Sequence, residues 1–156
     1  MCIISGDKEE DSLLYLHLHI CCTSFIETMK SELKYIELKS GFGDSGPAWI
    51  GIAEFSKSGR TVYFNGKAFK NTNAMGIEGG NHYDIETGDE YWISGIKKNG
   101  TDRHWAGGGK IMIDRKVVDQ YLNLVNSNTL EKKRFELIDI LPTDKQKFIE
   151  IENRKI

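Results

Sequence analysis

A chain of 156 residues with 39% apolar composition is long enough for one compact domain with a real core and too short for two large ones. Its 21 Lys and Arg against 23 Asp and Glu leave a formal net charge of -2, which excludes a whole-molecule electrostatic footprint for nucleic acid or an anionic membrane but allows a local basic patch. Sixteen glycines against two prolines, with turn dipeptides recurring through the middle of the chain, predict a β-rich fold of short strands.

All three cysteines, Cys2, Cys21 and Cys22, fall near the N-terminus, which argues against a disulfide-stapled secreted domain and for a reducing, cytoplasmic setting. The stretch "SLLYLHLHICCTSFI" (12–26) has acidic residues before it and two histidines inside it, and it is too short to span a bilayer. Residues 1–28 are read as an N-terminal extension from an upstream start assignment, with Met29 opening the core. Should the extension be native, His17, His19 and Cys21 share one face of a strand by period two and could form part of a metal site; the alternative is a loosely docked segment without metal. No other cofactor is expected.

The core opens with "KYIELKS" (34–40), an alternating strand with Tyr35 and Glu37 on one face and Ile36 and Leu38 on the other. "AWIGIAEFS" (48–56) is a long strand whose Gly51 suits a bulge or sharp coil. In "TVYFNGKAFK" (61–70), two β-branched and aromatic runs flank Asn65-Gly66, the dipeptide of a type I′ hairpin. "NTNAMGIEGGN" (71–81) is the longest core loop, and "HYDI" follows as a short strand. A second Asn-Gly at 99–100 predicts a hairpin over 90–106. Its register places Trp92, Ser94, Ile96, Arg103 and Trp105 on one face and Tyr91, Ile93, Lys97, Asp102 and His104 on the other.

"GGGKIMID" (107–114) reads as a turn and a closing strand. Asp114 can cap a helix over about 115–125, whose Val117, Val118, Tyr121, Leu122 and Val125 form one apolar stripe. A linker (126–134), an alternating strand (135–141) and a final segment of either helix or strand complete the chain. The expected fold is mainly β: a small, highly curved antiparallel sheet or SH3-like partly open barrel over residues 29–126, with one covering α-helix and a C-terminal appendage over 127–156.

The stretch from Lys34 to about Tyr121, with "KYIELKSG", "GPAWIG", "SKSGRTVYFNGKAFK", "YDIETGDEYWISG", "KKNG" and "DRHWAGGGKI", resembles a group of small, uncharacterised bacterial proteins that look like stand-alone domains. Some of these carry the name 1-deoxy-D-xylulose-5-phosphate synthase. That activity does not transfer to a chain this short, in which "TGDEYW" lacks the Gly-Asp-Gly metal and diphosphate motif of such a thiamine enzyme.

Four constellations carry chemistry. Asp102 and His104, two apart on one strand, could pair as a general base and its orienting carboxylate, or could simply pack across from Lys97 and Gly95. His82, Asp84, Glu86, Asp89 and Glu90 read as a solvated acidic turn without EF-hand spacing. "GGGK" lacks the rest of a nucleotide-binding loop. The set Trp92, Lys97, Lys98, Arg103, Trp105 and Lys110 is the leading binding surface, provided that its tryptophans are not core residues. The sequence favours a non-enzymatic module recognising a protein or peptide through this aromatic and basic hairpin. The alternatives are single-stranded nucleic-acid binding, or a small enzyme using His104 and Asp102.

Overall fold

The computed structural model describes residues 29–155. Asn65 and Gly66 both take positive φ, 49° and 76°, as a type I′ turn demands, and the turn joins β3 (Thr61–Phe64) to β4 (Lys67–Asn71) in the expected register. β1 (Ser31–Leu38), β2 (Ala48–Phe55), β5 (His82–Asp84) and β6 (Glu90–Gly95) complete an antiparallel sheet. The strands run in the order β1-β6-β5-β4-β3-β2, and β1 pairs with β2 to close a six-stranded barrel. Closure removes the free edges that an open sheet would leave.

β2 serves two partners along one edge. Its last residues pair with β3, whereas Ala48–Ile50 pair in parallel with β7 (Ile111–Asp114), which in turn carries β8 (Phe135–Ile138), also in parallel. The change of partner falls around Gly51, where a Cβ would lie 2.7 Å from the Phe64 ring; only glycine lets that ring pack there. β7 was expected to close the sheet. The closure is made by β1 instead, because both edges of β1 are already paired, and β7 extends the sheet outwards.

The barrel walls are buried on both sides. Ile36, Ala53, Val62, Phe64, Phe69, Tyr91 and Ile93 fill one cluster. Tyr35, Ala48 and Ile50 join Ile111, Ile113, Val117, Tyr121 and Phe135 in a second, on the opposite face of β1 and β2. That second cluster is covered by a 3-10 turn and α1 (Val118–Leu124), started as expected by Asp114, whose Oδ1 accepts from the Lys116 N–H. Lastly, α2 (Lys145–Arg154) places Phe148 on Tyr63, Ala68 and Ile85.

The segment from 127 onwards, expected as an appendage, thus supplies a strand to the sheet and a fully buried aromatic to the core. Its alternation and spacing were visible, but which face of the barrel lacked a cover was not. Asp84 departs from the solvated turn expected of it: it is buried, ion-paired with Lys67, and accepts from the Glu86 N–H at 2.9 Å. The 72–81 loop is fastened by Glu90 Oε2, which accepts from the N–H groups of Glu78 and Gly80 at 3.0 and 3.1 Å.

Phe148→Ala should cost about 3 to 5 kcal/mol in urea unfolding, the loss for a buried core phenylalanine; a loss below about 1 kcal/mol would return α2 to the status of an appendage. Buried His82 yields a pH prediction. Burial, aided by Lys34, pushes its pKa down to about 4 from its ordinary value near 6.5. A depressed folded pKa contributes stability that is present above about 6.5 and is lost as pH falls towards 4, on the order of 3 kcal/mol. Replacing His82 with Gln should flatten that part of the stability profile.

Candidate functional site

Glu37 sits on the same face of β1 as Tyr35, paired across the ladder with Trp92 of β6. It is 1% exposed. A carboxylate there requires partners, and it has three: Tyr35 Oη donates to Oε2 at 2.6 Å, while Arg103 Nη1 and Lys39 Nζ approach Oε1 at 3.4 and 3.5 Å. Burial, followed by the neighbouring Glu37 carboxylate, drives the Tyr35 pKa upwards, so the phenol stays a donor.

Arg103 reaches Glu37 from a segment far along the chain, and its two terminal nitrogens fix that segment in place, while its buried Nε has no partner in the protein. Nη1 donates to Asp44 O at 3.1 Å and Nη2 to Gly46 O at 3.0 Å. Gly108 N donates to Ser45 Oγ at 3.1 Å. A Cβ on Gly107 would lie 1.9 Å from Asp44 O, so glycine alone permits this approach. The 101–110 segment is therefore docked on the 3-10 turn Gly43–Ser45.

The predicted hairpin over 90–106 does not form. Its β6 strand is present, but the turn falls one residue early: Gly100 N donates to Lys97 O at 2.9 Å, and only Gly100, not Asn99, has positive φ. A returning strand would also find β6 occupied. β1 holds one edge, and β5 holds the other as far as Tyr91, beyond which the Asn81 side chain continues it, accepting from Ile93 N and donating to Ile93 O, both at 2.8 Å. Residues 101–110 leave as a loop.

This rearrangement separates the six expected binding residues. Trp105 is 90% exposed, and Lys97, Lys98 and Lys110 are exposed too, of which Lys97 shares a groove with the indole. Arg103 is withdrawn into the Glu37 network. Trp92 is half-buried and packs against the outer core cluster. Asp102 and His104 do not pair as proposed from their spacing. His104 Nδ1 lies 3.2 Å from Asp44 Oδ2, whereas Asp102 Oδ1 accepts from Lys97 N at 2.7 Å. Asp102 is 7% exposed, its Oδ2 has no hydrogen-bond partner in the protein, and burial raises its pKa. Lys39 holds the Asp44 carboxyl below its ordinary range.

Two concavities flank Lys97 and His104, which line both. The first is a groove of about 660 Å³ walled by those two residues with Trp105, the Gly107–Gly109 backbone, Lys133 and Arg134; no carboxylate lines it. The second is a cavity of about 360 Å³ over β1 and β6, walled by Glu37, Asp44, Trp92, Asp102 and the 75–79 loop. A third hollow, about 690 Å³, lies between α2 and the β2–β3 turn, where Lys70 is tied to Glu152 and Lys30 to Glu32. Lys133 and Arg134 were placed in a linker by the sequence, which could not show that β8 brings them against the glycine loop. Glu37 was visible only as an acid alternating with a tyrosine.

Among the described residues no cluster of three or more His, Cys, Asp or Glu side chains could hold a metal ion, and His17, His19 and Cys21 lie outside them. No family model matches the chain, and comparisons with curated proteins and with solved structures give no significant match.

Arg103→Ala should destabilise the fold by about 3 to 5 kcal/mol in urea unfolding, the cost of leaving a buried carboxylate without its partner. The double variant with Glu37→Gln should recover a large part of that loss; full additivity of the two would contradict the pairing.

Proposed function

We propose that this protein is a binding module for single-stranded nucleic acid, with its contact surface in the groove between the 97–110 loop and Lys133–Arg134. The observation that carries this reading is an open indole, Trp105, set beside a wall of cations and backbone amides without a carboxylate. Single strands are held in this manner elsewhere, with bases stacked on aromatic rings and phosphates along a basic groove. The net charge of -2 is no obstacle, since no carboxylate lines the groove itself, although Glu131 pairs with Arg134 and Asp44 with His104 at its margin.

The sequence favoured a peptide or protein partner, on the strength of tryptophan and arginine anchors. Arg103, the arginine of that set, is engaged in holding the fold and cannot serve as an interface anchor. What remains exposed is lysine and one indole, a set better suited to phosphates and bases. An enzyme built on His104 would need a carboxylate to orient it, and Asp44 is the one within reach.

Fluorescence anisotropy with a labelled single-stranded oligonucleotide tests the reading. Trp105→Ala should weaken binding by about 1 to 3 kcal/mol, the worth of one stacked base. The dependence of log K on log salt should have a slope of roughly -2, as expected if Lys97, Lys133 and Arg134 neutralise phosphates on a single strand. An affinity indifferent to both Trp105 and salt would overturn the proposal.

A further inference from the structure

Resting on that reading of the groove, we propose that His104 is its proton-sensing contact, which tightens the hold on a strand as pH falls by changing its own charge and the turn that carries Trp105. Histidine is the side chain that ordinarily changes charge between about pH 5 and 8. His104 lines the groove at an exposed position, where solvent protons reach it.

Two neighbours make opposite demands on one ring nitrogen of His104. Ala106 N donates to Nδ1 at 3.3 Å, which requires a bare, accepting nitrogen, whereas Asp44 Oδ2 lies 3.2 Å from the same atom and calls for a proton on it. A neutral ring can serve either group. An imidazolium can only donate, so protonation ends the Ala106 contact and commits Nδ1 to the carboxylate. The Ala106 contact belongs to a tight turn in which Gly107 N donates to His104 O at 2.9 Å, with Trp105 and Ala106 between them. The imidazole also lies against the indole, with ring centroids 5.4 Å apart and planes inclined at 40°. Charge on His104 is thereby coupled to Trp105 through the ring contact and through the turn.

The surrounding charges fix the sign of the effect. On the cavity side, Glu37 pairs with Lys39, Glu78 accepts from Gly41 N, and Asp102, its pKa raised by burial, accepts from Lys97 N. On the groove side stand Lys97, Lys133 and Arg134. Among the described residues Asp44 alone comes within ion-pair distance of the ring, and Lys39 holds its carboxyl below the ordinary range, so it stays ionised while a histidine titrates. With a neutral ring the groove has an anion at its margin. An imidazolium offsets that anion, and the groove gains one unit of positive charge towards the phosphates. His82 does not share this role, because it is buried and its pKa is pushed down to about 4.

The test follows the anisotropy of labelled oligothymidylate with the full chain at about pH 8 and about pH 5.5, which bracket the ordinary histidine range. Neither the phosphodiesters nor the thymines titrate between them. Affinity should rise about fivefold at about 0.1 M salt, and the slope of log K against log salt should steepen from roughly -2 to roughly -3, as expected for one further charge on a single strand. His104→Gln, which keeps an oxygen to accept from Ala106 N, should bind equally at both pH values. His104→Lys, charged at both, should also lose the pH dependence but show the steeper salt slope throughout.

A second readout needs no ligand. An imidazolium in contact with an indole quenches its emission, so tryptophan fluorescence of the free protein should fall between the same two pH values and stay level in Trp105→Phe and in His104→Gln. A binding response to pH that is missing from the unmodified protein, or that persists in His104→Gln, would overturn the proposal and leave the groove reading standing. Failure to bind at either pH would overturn the groove reading, and the fluorescence then decides the proton response alone. A fall that both substitutions abolish supports it; a level trace, or a fall that either substitution retains, overturns it.

Discussion

A carboxylate buried on a sheet is tolerated only when charge and hydrogen bonds surround it, and Glu37 sets that demand on the outer face of β1. Tyr35 answers it from the same strand, Lys39 from the loop that follows, and Arg103 from the segment after β6. Arg103 also hydrogen-bonds the carbonyls of Asp44 and Gly46, so satisfying one buried charge draws the β1–β2 connection and the 101–110 segment together at one end of the barrel. The same segment is tied to the 3-10 turn by Gly108 N on Ser45 Oγ and by His104 beside Asp44, so the Glu37 network is one of several polar contacts that hold it there.

The proposed contact surface follows from this placement. Docking the 101–110 loop turns Arg103 inwards and Trp105 outwards, and it lays the Gly107–Gly109 backbone alongside Lys133 and Arg134 at the start of β8. The acids end up over β1 and β6, and the cations end up on the groove side. Lys97 and His104 stand between these two environments.

Local signals in the sequence survived where local rules decide the structure. Asn65-Gly66 took the turn its dihedral preferences require, and Asp114 capped the covering helix. The mainly β barrel was legible from alternation and turn spacing, although its closure by β1 and the parallel addition of β7 and β8 were not. The second Asn-Gly failed as a hairpin signal because both edges of β6 were already taken, one by β1 and the other by β5 and the Asn81 side chain, a contact made across twelve residues. Arg103 and Trp105 were expected on the same face of one strand. They part company because a long-range ion pair claims one of them, which no local pattern records. The C-terminal segment was legible as elements but not as part of the core, since the aromatic gap filled by Phe148 exists only once the barrel has closed.

The most direct test of this division is a proton–nitrogen NMR titration that follows the three tryptophan indole N–H resonances while a single-stranded oligonucleotide is added. Trp49 packs against the Ile36 and Phe69 cluster, Trp92 lines the acid-walled cavity and Trp105 stands open in the groove. The account predicts a large shift for Trp105 with Trp49 unmoved. A strand that leaves Trp105 unperturbed, or that moves all three indoles equally, would contradict it.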